Sequence, residues 1–125
     1  MILDTNALSA FADGEPGALA EIDRAALIAI PVIVLGEFLF GIAHSRRQRE
    51  YEAWIHETLG TFQILDVGAG TAAKYAEVRS ELKRSGRPIP SNDLWIAALC
   101  RQHSLPLLSQ DRHFESVKGL RRIGW

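Results

Sequence analysis

Cysteine is nearly absent from this chain: Cys100, within "IAALCRQH", is the only one. A single thiol closes no intramolecular disulfide, which fits a reducing compartment. Its expected place is a small apolar core position, not a catalytic nucleophile. Long apolar runs are also missing. No stretch approaches the ~20 residues that span a bilayer. No secretory leader with a basic start and an apolar core is expected, since an acid arrives at the fourth position. The expected location is cytoplasmic, with no membrane partner. Charge of one sign does not dominate either, since 14 Lys and Arg face 15 Asp and Glu for a net charge of −1. That argues against tight, nonspecific binding of nucleic acid through bulk charge. It leaves open a nucleic-acid enzyme whose metal ions offset local acids and whose cations form one patch.

Several chemistries lack their signatures. Neither common glycine-rich phosphate loop is present, because "GAGTAAK" does not have the required pattern. No serine sits in a nucleophile elbow. His44, His56, His103 and His113 show no zinc-ligand spacing with cysteine or with one another. They are expected at the surface or partly buried, with His113 an outside candidate because it lies near Asp111. Internal repeats, low-complexity segments and linkers are absent. The 125 residues suit one domain over 1–125, which at this size buries roughly two thirds of its unfolded surface without staples.

What is present alternates in type. "MIL" reads as a short strand. "EPGALAEIDRA" reads as a helix with Pro16 in its first turn and Leu19, Ile22 and Ala26 on one face. "LIAI", Leu27 to Ile30, reads as a buried strand, with a helix end as the alternative. Pro31 starts a helix through "VIVLGEFLFGIAH". Tyr51, Trp54, Ile55, Thr58 and Leu59 have the i, i+3, i+4, i+7, i+8 spacing of an amphipathic helix, which Gly60 closes. "FQIL" is a further strand. Thr71 to Ser85 forms a helix with Ala72, Tyr75, Ala76 and Leu82 inward, stopped by Gly86 and Pro88. "SNDLWIAALCRQH" is a helix capped by Ser91 or Asn92, "LPLLS" a strand, "QDRHFESV" a short helical turn and "LRRIGW" an edge strand. Short apolar strands separated by helices imply a parallel sheet covered on both faces. The fold class is α/β, a three-layer α/β/α sandwich around a mostly parallel sheet of four to five strands.

In such sheets, sites form at the carboxyl ends of the strands. Asp4 follows the first strand and Asp111 follows "LPLLS". The helix that opens with Asp93 runs into that same strand, so its start lies at the same edge. Glu37 stands about six residues into the helix after Pro31, roughly 9 Å from its start at 1.5 Å per residue. The four acids therefore converge on one rim. Each also has a bland reading. Asp93 suits a helix N-terminus and Asp111 a turn cap; taken alone, those readings win. Asp4 is evenly balanced between cap and site. Glu37 is the hardest to explain blandly. It stands among Ile33, Val34 and Phe40, where an ionised carboxylate is costly without a partner. Gly36 and Gly41 cost its helix about 1 kcal/mol each relative to alanine, which suggests space beside Glu37 for ions or another backbone. Clustered carboxylates repel, so some must protonate or bind cations. Hard oxygen ligands suit Mg²⁺ or Mn²⁺, which activate water and stabilise charge on a phosphoryl group. An aspartyl-phosphate enzyme of the haloacid dehalogenase type also begins with a strand ending in Asp. It wants a second Asp two positions on, where this chain has Asn6.

"LDTNAL", "PVIVLGEFLFGI", "IPSNDLWIAA" and "LLSQDRHF" together resemble the PIN domain in its bacterial VapC toxin form, in order and over nearly the whole chain. One departure is a very short first strand, with three residues before Asp4. The resemblance implies a metal-dependent endoribonuclease toxin, hydrolysing RNA such as tRNA or rRNA and held inactive by a VapB-like antitoxin. It implies one or two Mg²⁺ or Mn²⁺ ions, with Asp4, Asp93 and Asp111 as direct ligands and Glu37 acting through water. Asn6 and Ser109 support the first and last acids. It also implies a homodimer and an antitoxin peptide held against the acidic site. Arg112, beside Asp111, is the best-placed candidate to touch RNA phosphate. "SRRQRE", with Arg46, Arg47 and Arg49, and "LKRSGR", with Lys83, Arg84 and Arg87, supply further cations whose simpler reading is a solvated helix end. Exposed apolar helix surface near Trp54, Phe38 and Phe40 is the candidate protein-contact face, with core as the commoner alternative. Two other functions compete: a partner-binding module that has the fold but no catalysis, and a metal-dependent phosphatase or DNA nuclease.

Overall fold

The computed structural model describes residues 1–125. Five strands make one parallel sheet: β1 (Ile2–Leu3), β2 (Ala29–Pro31), β3 (Gln63–Leu65), β4 (Leu107–Leu108) and β5 (Arg122–Ile123), in the order β3-β2-β1-β4-β5. The strands are only two or three residues long, and the central three, β2, β1 and β4, are fully buried. Ile2, Leu3, Ala29, Ile30, Leu107 and Leu108 have no solvent exposure. At about 1.5–3 kcal/mol per fully buried large aliphatic side chain, these few positions hold the sheet centre.

Six helices cover the sheet: α1 (Thr5–Ala12), α2 (Pro16–Arg24), α3 (Val32–Ala43), α4 (Gln48–Thr58), α5 (Ala69–Ser85) and α6 (Ser91–His103). Helices α1 to α4 pack mutually on one face and α5 against α6 on the other, as right-handed crossovers from a central β1 require. The chain leaves β1 toward β2 and β3, then crosses back to β4. The switch point therefore falls between β1 and β4, where open parallel sheets place their crevice. No helix is long and apolar enough to cross a membrane.

Sequence periodicity finds most elements but not α1. "TNALSAFA" is short and begins with polar residues, yet Ala7 and Leu8 are fully buried and Phe11 meets Trp54 edge-on at 5.2 Å. Trp54 and Phe38 thus belong to the core, with ring centroids 5.9 Å apart, whereas Phe40 is 71% exposed. Helix α5 turns a different face inward from the one expected. Thr71, Val78 and Leu82 are buried and Tyr75 half-buried, while Ala72 and Ala76 face solvent. Thr71 can be buried because its hydroxyl donates to Gln102 Oε1 at 2.6 Å and accepts from the Gly68 amide at 3.1 Å. In α2, Ile22 is buried and Leu19 half-buried, but Ala26 lies exposed beyond the helix end, and Leu27 is exposed before β2 begins. Gly60 sits within a 3₁₀ turn, Leu59–Thr61, that extends α4. Gly86 ends α5 as expected. It adopts φ +69°, the left-handed region open to glycine, and the Arg87 amide reaches back to Leu82 O at 3.0 Å. Helix α6 is buried almost all round, from Leu94 and Ile96 to Cys100. Burial pushes the Cys100 thiol up to about 12, which matches an inert core residue.

Candidate active site

Asp4, the first residue after β1, is 4% exposed. It caps α1, since its Oδ1 accepts the Thr5 amide at 2.9 Å. Its Oδ2 accepts the Ser109 hydroxyl at 2.6 Å and the Asn6 amide at 3.2 Å. Cap and site are thus the same residue, and two neighbours hold one of its oxygens. Asn6 Nδ2 also reaches Ser109 Oγ at 3.3 Å, while its Oδ1 accepts the Gln110 amide at 3.1 Å. Ser109 in turn accepts the Asp111 amide at 3.0 Å. One side chain therefore ties the end of β1 to the end of β4 across the switch point.

Asp4, Glu37, Asp93 and Asp111 all line one open cleft of about 730 Å³, together with Thr5, Asn6, Ser9 and the start of α6, and no hydrophobic residue lines it. The acids predicted from sequence are brought together at the predicted edge. Pro90, not Ser91 or Asn92, occupies the N-cap of α6 and provides no side-chain cap. Ser91 and Asn92 open the helix instead and line the cleft. A Cβ on Gly36 or Gly41 would meet nothing within 4 Å, so nothing in the protomer fills the space beside them. Arg112 does not line the cleft. Its side chain is 80% exposed and lies 3.6 Å from Glu115.

The main departure is His113. Its Nε2 stands 2.6 Å from Asp93 Oδ2 and its Nδ1 2.9 Å from Asp111 Oδ1. Asp93, Asp111 and His113 each offer a ligand atom within 4.8 Å of the others. One imidazole thus joins the two acids, through a different ring nitrogen to each. No sequence spacing signals the Asp93 contact, because it spans 20 residues and depends on the 3₁₀ turn after β4. The other histidines are exposed.

Two carboxyls here are pushed above the ordinary carboxylate range. For Glu37 the main cause is burial. Asp4 and Asp93 push in the same direction, and the Thr5 hydroxyl beside it pulls back. That hydroxyl faces Glu37 outside full hydrogen-bonding geometry; it is the one buried side-chain polar atom without a partner. For Asp93 burial again dominates, opposed by His113 and reinforced by Asp4 and Asp111. A carboxyl raised in the folded state costs stability once ionised, and the cost disappears as pH falls below its unfolded value. Glu37→Gln is therefore expected to raise the melting temperature of metal-free protein near about pH 7, with the gain vanishing below about pH 4. Thermal melts of both proteins at the two pH values check this, and an unchanged or lower melting temperature near pH 7 contradicts it.

A parallel α/β sheet with acids clustered at its switch point has the layout of a cation-binding cleft. The PIN domain family matches residues 1–120, and the chain belongs to that family. It is 30% identical to ribonuclease VapC5 of Mycobacterium tuberculosis over 94% of this chain and 87% of that protein. It is 31% identical to the tRNA(fMet)-specific endonuclease VapC of Shigella flexneri over 78% of this chain and 75% of that protein. Its fold superposes on VapBC2 from Rickettsia felis, solved bound to a DNA fragment from the promoter, with TM-score 0.88 and 26% identity over 99% of this chain and 97% of that one.

Proposed function

We propose that this protein is a metal-dependent endoribonuclease toxin that hydrolyses RNA phosphodiester bonds and is held inactive by a VapB-like antitoxin. One observation carries the reading: Asp4, Glu37, Asp93 and Asp111 line one polar cleft at the switch point. The curated relatives, which are named ribonucleases and a tRNA-specific endonuclease, support RNA as the substrate class. The donor set fits Mg²⁺ or Mn²⁺, since its carboxylate and hydroxyl oxygens are the hard ligands these ions prefer. The orphaned Thr5 hydroxyl is a further oxygen without a protein partner. Asp4, Asp93 and Asp111 are the residues that would hold one or two ions. A bound divalent ion supplies an activated water and neutralises charge developing on the phosphate.

The chain's own groups do the rest. Ser109 and Asn6 fix Asp4 Oδ2, so that carboxylate needs no reorganisation when substrate arrives. His113 orients Asp93 and Asp111 from one ring. Glu37, with a carboxyl raised by burial, is suited to exchange a proton with a water in the cleft. On α3, Val32, Leu39 and Phe40 are exposed at 40%, 43% and 71%. This unpartnered apolar stripe supports contacts with a second copy and with the antitoxin. The buried lone cysteine is consistent with a cytoplasmic setting.

The test uses purified protein free of antitoxin, incubated with tRNA and structured RNA in Mg²⁺, in Mn²⁺ and in chelator. Cleavage with either ion and none in chelator is expected. Cleavage that survives chelation sinks the metal-dependent reading. Activity confined to p-nitrophenyl phosphate or single-stranded DNA points to the phosphatase or DNA nuclease. A protein that binds an antitoxin peptide yet cleaves nothing is the partner-binding module.

A further inference from the structure

Helices α5 and α6 run antiparallel. Thr71 bonds Gln102 at one end, and Leu82 and Lys83 lie beside Ser91 and Leu94 at the other. Between them at that second end lies a groove of about 400 Å³. Its floor is apolar, formed by Leu82, Ile89 and Leu94, and its charged residues are Arg79 and Lys83, with no acid among the lining residues. Ser91 lines both this groove and the acidic cleft, so the two adjoin at the start of α6. The groove is large enough for a small ligand fragment.

The cations of this groove lack carboxylate partners, as do Arg46, Arg49, Lys118 and Arg121 elsewhere. Arg24, Arg47, Lys74, Arg101, Arg112 and Arg122 all have carboxylate partners. Arg79 and Lys83 have none, nor do Arg84 and Arg87 just beyond them. Arg79 donates instead to the Tyr75 hydroxyl at 2.8 Å. Tyr75 stacks on Trp95 with ring centroids 4.1 Å apart and planes 23° apart, both rings half-buried. Trp95 is one helical turn beyond Ser91. A phosphate chain entering a cleft of four acids meets repulsion there, and it needs cations close by to hold it. Bases also need flat apolar surface, which aromatic faces provide at about 1–3 kcal/mol each. Arg46, in the other basic run, comes after α3 has ended at Ala43 and lines neither this groove nor the acidic cleft.

We infer that the α5–α6 groove is the binding subsite for the nucleotide next to the scissile phosphate. Arg79 and Lys83 contact the flanking phosphates, and the Leu82, Ile89 and Leu94 floor with the adjoining Tyr75–Trp95 pair receives the base. This rests on the ribonuclease reading for which phosphate is cut, but its own test is binding. Single-stranded RNA carrying a fluorophore is titrated with wild-type protein, with the Arg79→Glu/Lys83→Glu double variant and with Arg46→Glu/Arg49→Glu, by anisotropy over a range of salt. All changes are at exposed positions, and thermal melts confirm that each variant is folded.

Charge reversal in the groove is expected to raise Kd about tenfold or more. It should also flatten the slope of log K against log salt by about 1.4, two contacts at roughly 0.7 each. The Arg46→Glu/Arg49→Glu protein should bind like wild type. In cleavage assays the groove variant should show a raised KM with kcat unchanged at saturating RNA. The inference is overturned if wild type does not bind RNA, or if groove reversal leaves Kd and slope unchanged. It is also overturned if a polyglutamate peptide, and not RNA, is what the groove residues bind. RNA bound through the groove without cleavage sinks the ribonuclease reading and leaves the subsite standing. Cleavage unaffected by groove reversal does the opposite.

Discussion

Asp93→Asn is expected to lower kcat for RNA cleavage by roughly 10³-fold or more, about 4 kcal/mol of transition-state stabilisation. Asp93 stands at the entrance of α6 with its side chain 18% exposed, and it faces Asp111 across His113. Removing one charge from a set of hard oxygen donors weakens both ion binding and the neutralisation of phosphate charge. Asparagine has nearly the same shape and keeps an oxygen for His113, so the loss reads out charge rather than packing. The same change is expected to raise the melting temperature of metal-free protein. Burial and the neighbouring acids make the ionised form of Asp93 costly in the fold, and asparagine removes that cost. The two readouts therefore move in opposite directions, as they do where a site is kept at the expense of stability. Cleavage within tenfold of wild type, or a lower melting temperature, defeats the metal-site reading of Asp93. Binding of Mg²⁺ measured by calorimetry separates a lost ion from a lost chemical step.

The legible part of this chain and the illegible part divide along physical lines. The acids were readable because strand order in α/β folds sends every strand's carboxyl end to one edge. Asp4, Asp93 and Asp111 each sit one to three residues beyond an element boundary that composition marks, and Glu37 violates the apolar pattern of α3. Helix α1 was not readable. Its eight residues carry too few turns for periodicity, and its polar start looks like a loop. The inward face of α5 was misjudged because alanine fits either side of a helix, while Thr71 can be buried only with a partner, Gln102, that lies 31 residues away. The expected cap of α6 fell one or two residues late because Pro90 ends the loop with no side-chain acceptor. The place of His113 is illegible for the same reason as that of Thr71. Its role is set by Asp93, 20 residues distant, and no local pattern encodes such a meeting. Local signals found the strands and the acids. Side-chain partnerships between elements needed the fold.

Asn6→Ala is expected to reduce cleavage by roughly 10–100-fold, although Asn6 is not placed among the metal-holding acids. Its amide group makes three contacts at once: Nδ2 to Asp4 Oδ2, Nδ2 to Ser109 Oγ and Oδ1 from the Gln110 amide. Alanine removes all three. Asp4 then keeps only the Thr5 amide and the Ser109 hydroxyl, and the loop after β4 that carries Asp111 loses its tie to β1. The stability loss should be about 1–3 kcal/mol, since one of these hydrogen bonds goes to the buried Asp4 carboxylate. The expected kinetic signature is a higher Mg²⁺ concentration at half-maximal activity, partly recovered at saturating ion, because a loosened carboxylate binds weakly but can still be drawn into place. Asn6→Asp separates positioning from simple packing. It preserves the size and the acceptor for the Gln110 amide, but it replaces a donor to Asp4 with a second carboxylate. If Asn6 works by donating to Asp4, the aspartate variant is as impaired as the alanine variant and melts lower without metal, since it adds a like charge beside a carboxylate that is 4% exposed. If Asn6 only fills space, the aspartate variant behaves like wild type, and the clamp across the switch point has no part in organising the site.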